Sequence, residues 1–116
     1  MTEREMLELA ARAMGFDVKS DDSHSYPYID VSKCNDGIYE SWSPSHDIAD
    51  CADMEARLMI DVNWTTCEAL CFAWNKKHGR IVAKVVDAFA NHNNDRQRAR
   101  MMASTRAAAA LAEGME

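Results

Sequence analysis

Two prolines and four glycines are all the backbone punctuation that this chain carries in 116 residues. The glycines are too scattered to build a phosphate-cradling loop. Neither G-x-x-x-x-G-K nor G-x-G-x-x-G occurs, which excludes a P-loop and a standard dinucleotide fold. The G-x-S-x-G elbow that exposes a nucleophilic serine is absent too. No apolar run approaches the ~20 residues that a membrane-spanning helix needs. The opening Met1-Thr2-Glu3-Arg4-Glu5 is charged and acidic, unlike a secretion signal, so a cytoplasmic protein is expected. The four cysteines, Cys34, Cys51, Cys67 and Cys71, are then expected to be reduced. Their spacing does not suit zinc. Cys67 and Cys71 are four apart, but His78 and His92 stand fourteen apart, and Cys34 and Cys51 belong to no pair. No metal and no cofactor is expected, and the thiols read as small buried hydrophobes.

What is present suffices for a self-contained fold. Apolar residues make up 47% and charged residues 28%, values of an ordinary globular chain rather than a disordered one. A chain of this length buries roughly two-thirds of its unfolded surface, enough for a core without staples. Residues 1–116 are therefore read as one domain, with no internal repeat and no linker. The net charge of −6 is unevenly spread. Residues 1–60 hold 13 acidic and 5 basic side chains, a balance of −8, whereas residues 61–116 hold 6 and 8, a balance of +2. Phosphate affinity comes from Lys and Arg, so an acidic first half argues against a nucleic-acid groove there. It suits a basic protein partner.

Hydrophobic periodicity orders the elements as α-β-β-α-β-β-β-α. Residues 2–14 read as a helix, with Thr2 and Glu5 at capping-box spacing and Gly15 as its left-handed stop. Residues 17–25 read as a polar loop. Residues 26–31 and 38–42 read as a hairpin turned at Asn35-Asp36-Gly37. A second helix is expected over 48–59, capped by Asp47. Residues 60–64, 69–74 and 81–86 read as strands. Ile81, Val82, Val85, Val86 and Phe89 also fit a helical stripe, but the β-branched content favours a strand. The last helix is expected over 96–113, with Ala99, Met102, Ala103, Ala107, Ala110 and Leu111 inward. The connections are mostly too short for parallel crossovers. An α+β fold follows: a mainly antiparallel sheet of about four to five strands with three helices packed on it.

Few groupings suggest chemistry. Ser45, His46 and Asp47 include the three residue types of a catalytic triad, but triads are assembled from residues distant in sequence. A strand-to-helix turn with Ser and Asp capping is the preferred reading. Cys71 with His78 is a second pair of catalytic type. Asp47, Asp50 and Asp53, spaced by three, form a strip along one helix side that could serve a hard cation beside His46. Solvated acids at the positive end of the helix dipole are the preferred reading. Arg96, Arg98, Arg100 and Arg106 lack the aromatics of a single-strand binder and read as a charged face over a packed helix. Trp42, Trp64 and Trp74 lie in strands and become hot-spot candidates where exposed. The candidate partner-binding residues are Asp21, Asp22, Asp47, Asp50, Asp53 and Trp42. No catalytic residue is assigned.

Trp42-Ser43-Pro44 followed by Asp47 and Asp50, leading into Leu58-Met59-Ile60, resembles small proteins of tailed phages and prophages described as phage α-β-α (ABA) sandwich domains. Their pattern there is W-x-P-x-x-D-x-x-D before an amphipathic helix. The opening Glu5-Met6-Leu7-Glu8-Leu9-Ala10-Ala11-Arg12-Ala13-Met14-Gly15 is similar to their first helix, and the Arg- and Ala-rich stretch 96–113 to their last. Ala49 stands where that family often has Gly, which bears on loop shape. The resemblance implies a phage or prophage origin and an accessory role, with no established activity to carry over. The expected function is that of a non-enzymatic accessory protein binding a host protein in the host cytoplasm. One version is an acidic inhibitor of a host defence complex, CRISPR systems included. The alternatives are a small enzyme with a Cys/His or His/Asp site, and a structural or homo-oligomeric phage component.

Overall fold

Thr2 starts the first helix, α1 (Glu3–Ala13), by accepting the Glu5 amide on its hydroxyl, 3.1 Å away. The helix stops where Gly15 takes φ +78°, with the Phe16 amide bonded to the Ala11 carbonyl and the Gly15 amide to the Arg12 carbonyl. That paired closure is a Schellman motif, and it turns Phe16 back into the core beneath the helix. These details come from a computed structural model that describes residues 2–19, 28–34, 37–75 and 80–113.

Among the described residues six strands follow, in two groups of three. In the first sheet β1 (Asp17–Val18), β2 (Ile29–Ser32) and β3 (Glu40–Trp42) run antiparallel in chain order. Asp17 and Val18, expected in a loop, pair with Ser32 and Val31. After β3 comes α2 (Ile48–Leu58). The second sheet is a meander of β4 (Asp61–Trp64), β5 (Glu68–Asn75) and β6 (Arg80–Ala88). A 3₁₀ turn (Phe89–His92) leads to α3 (Arg96–Glu113), whose capping residue Asp95 accepts the Arg98 amide.

The α+β class, three helices and antiparallel pairing agree with the sequence reading, and residues 81–88 are strand. The single sheet is corrected to two three-stranded sheets. Both present apolar side chains to a shared core, so they meet through side chains and helices rather than through backbone hydrogen bonds. That core joins Leu7, Ala10 and Ala11 of α1 to Ile29, Val31 and Trp42 of the first sheet and Met54 of α2. It continues through Cys71 and Ala73 of β5 to Ala103, Ala107 and Ala108 of α3.

α3 does not lie on a sheet with one inward side. It packs against α1, α2, β5 and β6 together, and Met101, Ser104, Thr105, Ala108, Ala109 and Ala112 are buried beyond the faces expected. Alanine makes this possible, since small side chains allow close approach from several directions. Among the described residues no helix is long and apolar enough to cross a membrane. The expected Asn35-Asp36 turn and the 76–79 loop lie outside the described residues.

Candidate functional site

The corner between β3 and α2 collects the residues singled out in the sequence. Trp42, Ser43, Pro44 and Ser45 are all fully buried. The chain doubles back there, with the amides of His46 and Asp47 both bonded to the Ser43 carbonyl. Asp47 caps α2 by accepting the amides of Ala49 and Asp50 at 2.9 and 3.2 Å. Asp50 reaches back to the Ser43 amide at 3.0 Å and closes the corner. The W-x-P-x-x-D-x-x-D stretch is thus a folding device: an aromatic plug, a buried proline, a helix cap and a clasp. Asp53, further along α2, pairs with Arg57 across one helical turn.

Trp42 is 0% exposed and stacks edge-on against Phe16, so it offers no surface to a partner and is corrected to a core residue. Among the described residues its indole Nε1 is the one fully buried side-chain polar atom without a hydrogen-bond partner. Asp47 and Asp50 carry structural bonds on their carboxylates, and Asp53 is half-exposed. Asp21 and Asp22 lie outside the described residues. The acids still share a neighbourhood. Asp50 is held above the usual carboxylate range, first by burial, with Asp47 and Glu40 adding to the shift and the Ser43 amide and Lys33 opposing it. Lys33 binds Glu40 at 2.8 Å, which raises its affinity for a proton, and it also feels Asp50 and Asp53.

Ser45 and His46 do approach each other, but not as nucleophile and base. Ser45 Oγ lies 2.9 Å from His46 Nδ1 and donates to Glu3 Oε1 at 3.1 Å. One hydroxyl has one proton, so with Glu3 taking it Nδ1 must be the protonated nitrogen. Glu3 also stands 3.5 Å from that same Nδ1. A triad puts serine and carboxylate on opposite ring nitrogens. Here both crowd one nitrogen, and Ser45 is sealed from any substrate. Arg98 completes the group by donating to the Ser45 carbonyl at 2.6 Å. Burial, then the Arg98 charge, depress the His46 pKa, against a smaller opposing effect of Glu3.

A second polar group, absent from the sequence reading, lies between α2, α3 and β5. Glu55 is buried and accepts both arms of the Arg100 guanidinium, the Ser104 hydroxyl and, at 3.6 Å, the Cys51 thiol. Ser104 Oγ in turn stands 3.3 Å from Cys71 Sγ. Burial pushes Cys51 up to about 12 and Cys71 up to about 11, with Glu55 adding to both. Thiols so shifted are protonated at neutral pH and are poor nucleophiles. His78, the proposed partner of Cys71, lies outside the described residues.

A third group centres on Asp87, also buried, which holds His92 Nε2 at 2.9 Å and Arg106 Nη1 at 3.4 Å. The arginines of α3 are therefore spent inside the chain: Arg98 on a carbonyl, Arg100 on Glu55 and Arg106 on Asp87. Arg96 lies over the Phe89 ring, 5.4 Å from its centroid. The charged face read from the sequence is corrected accordingly. Its signal was legible in another form, because Glu55 interrupts the apolar stripe of Cys51, Met54 and Leu58, and Asp87 interrupts the inward alternation of Ala83, Val85 and Phe89. A carboxylate at a core position calls for a cation or hydrogen-bond donors brought to it.

Two open depressions lie among the described residues. One of 380 Å³ runs between α1 and α3, lined by Met6, Met102, Arg106 and Ala109 among others. The other, of 310 Å³, is bounded by Trp64, Thr65, Phe89, Arg96 and Gln97. Among the described residues no cluster of three or more His, Cys, Asp or Glu side chains is arranged to hold a metal ion. No protein-family model, no curated protein and no solved structure matches the chain.

Proposed function

We propose that this chain is a non-enzymatic accessory protein of a tailed phage or prophage that binds a host protein through an acidic face. In the version favoured by its charge, it occupies the basic nucleic-acid channel of a host defence complex. The observation that carries the reading is electrostatic. At the junction of β3 and α2, Glu40, Asp50 and Asp53 act on the Lys33 ammonium, and Asp47 and Glu40 act on Asp50. Four carboxylates against Lys33 and the Arg57 guanidinium that pairs with Asp53 leave a local negative excess, and such a field steers a basic partner and speeds its encounter.

Asp47 and Asp50 hold the corner together, whereas Glu40 and Asp53, though paired with Lys33 and Arg57, are the more exposed and are the residues through which a partner would be felt. The test is capture of a host protein from lysate on immobilised chain, at low and at high salt, beside a Glu40→Lys/Asp53→Lys variant. The expected result is a retained basic protein that is released by salt and lost in the variant. Retention by wild type and variant alike, or no retention at low salt, overturns the reading.

A further inference from the structure

Trp64 ends β4 with its ring on the face of the second sheet that α3 covers, since it pairs with Ala69, which is fully buried. The cover gives out there, and 49% of Trp64 is exposed. Its ring lies 5.9 Å from that of buried Phe89, tilted by 46°, and the Arg96 guanidinium lies over the same Phe89 ring at 5.4 Å. Tryptophan is the stronger cation–π partner. Arg96 nevertheless sits on Phe89 and makes no cation–π contact with Trp64, so the indole stays uncovered. Indole and guanidinium bound the open depression of 310 Å³, with Thr65 and Gln97 at its rim. The aromatics that Arg96 lacks among its neighbours in the sequence are thus brought to it by the fold.

The polar groups of this depression are one-sided. Arg96 has five N–H donors and, among the described residues, no carboxylate partner. The Trp64 indole N–H has no partner among them either. Gln97 keeps its amide N–H groups, with its Oε1 met by Arg100 at 3.5 Å. Thr65 Oγ1 already accepts the amides of Cys67 and Glu68, at 3.2 and 2.9 Å. The carboxylates nearby in the chain serve elsewhere. Asp95 accepts the Arg98 amide as the cap of α3, and Glu68, next to inward Ala69, points to the opposite face of the sheet. An uncovered indole, a free guanidinium and spare donors suit a flat ring that carries anionic oxygens. The depression also lies in the half of the chain whose charge balance is +2.

We infer that this depression binds one nucleotide unit, its base stacked on Trp64 and its phosphate held by Arg96. Stacking on an aromatic side chain accepts any base, and a guanidinium meets phosphate with paired N–H groups. A glutamine amide beside them can pair with a base edge. The volume is at the low end of the roughly 300–1,000 Å³ of ligand pockets, and one free arginine serves one phosphate, so a single unit is held rather than a run. A free nucleoside monophosphate and a single strand share this chemistry, and the test separates them. The inference is independent of the host-partner reading, which uses β3 and α2.

The test is isothermal titration of the full chain with adenosine monophosphate. Saturable one-to-one binding is expected, with a dissociation constant on the order of 0.1–1 mM. Adenosine, which lacks the phosphate, and ribose phosphate, which lacks the base, should each bind at least about fivefold more weakly. Trp64→Leu should raise the constant at least about tenfold through lost stacking. Arg96→Gln should raise it about tenfold for the monophosphate and leave that of adenosine within about twofold, because only the phosphate meets the guanidinium. If Trp64→Leu loses its far-UV circular dichroism, Arg96→Gln, at an exposed position, carries the test. A single-stranded deoxyadenylate hexamer bound at least about tenfold tighter than the monophosphate identifies a strand as the natural source, and a smaller gain identifies the free nucleotide. No saturable binding of monophosphate or hexamer up to about 5 mM overturns the proposal. So does ribose phosphate binding as tightly as the monophosphate, or an affinity indifferent to both Trp64→Leu and Arg96→Gln.

Discussion

Four thiols of one chain divide into two chemical kinds, chiefly through burial. All are free, but Cys34 and Cys67 are exposed while Cys51 and Cys71 are buried. Transfer out of water penalises the thiolate, and the nearby Glu55 carboxylate penalises it further, which is why the buried pair reaches about 12 and about 11. Iodoacetamide at pH about 8 should therefore modify Cys34 and Cys67 in the native protein and all four cysteines after unfolding. Mass spectrometry of the labelled peptides checks this, and rapid native labelling of Cys51 or Cys71 contradicts it. Single residues were read unevenly from the sequence. Thr2, Gly15 and Asp47 act within one turn of where they stand, so their spacing alone located them. Trp42 could be core or hot spot on sequence grounds, because nothing local says which side of β3 meets Phe16. Met59 was not legible at all: it takes the left-handed φ of 54° that glycine usually supplies at a helix end.

At the level of elements, the junction of α2 and α3 depends on one ion pair. Glu55 and Arg100 are 45 positions apart, and the Glu55 side chain is almost fully covered while that of Arg100 retains 24% of its surface. Exposed pairs are worth about 0–1 kcal/mol, whereas removing one partner of a buried pair strands the other and costs about 3–5 kcal/mol. Arg100→Met should thus destabilise the fold by about 3 kcal/mol in urea denaturation, and Glu55→Met/Arg100→Met should recover most of the loss. A single variant within 0.5 kcal/mol of wild type, a difference typical of surface sites at roughly that size, would show the pair to be ornamental. This also explains why α3 was read correctly in extent yet wrongly in environment. Its limits follow from the Asp95 cap and its alanine content. Which of its sides are covered depends on α1, α2 and the second sheet all arriving around it.

Across the whole molecule, Ser45 ties the β3–α2 corner to Glu3 at the start of α1 and to Arg98 on α3, and the same hydroxyl meets His46. The folded pKa of His46 lies below the ordinary 6.5, so the unfolded chain binds the extra proton more readily. The stability it contributes is complete above that value and is lost as pH falls through 6.5 and below. Asp50 has the opposite sign: its folded pKa is raised above 3.8, so the ionised form is the less favoured, and this penalty is relieved as acid protonates it. Denaturation midpoints should fall between pH about 7 and about 5.5, and His46→Gln should flatten that slope. An unchanged slope in the variant would remove His46 as its cause.

The sequence by itself determined the α+β class, the order of helices and most strands, the helix caps and the antiparallel hairpins, because each rests on periodicity or hydrogen bonds a few residues long. Only the tertiary structure decided that six strands form two sheets, that three arginines of α3 are consumed by Ser45, Glu55 and Asp87, and that the Trp42 motif is architecture. Those outcomes depend on which surfaces meet across distances of 19 to 53 residues. Desolvation and charge pairing at such meetings have no counterpart in local pattern.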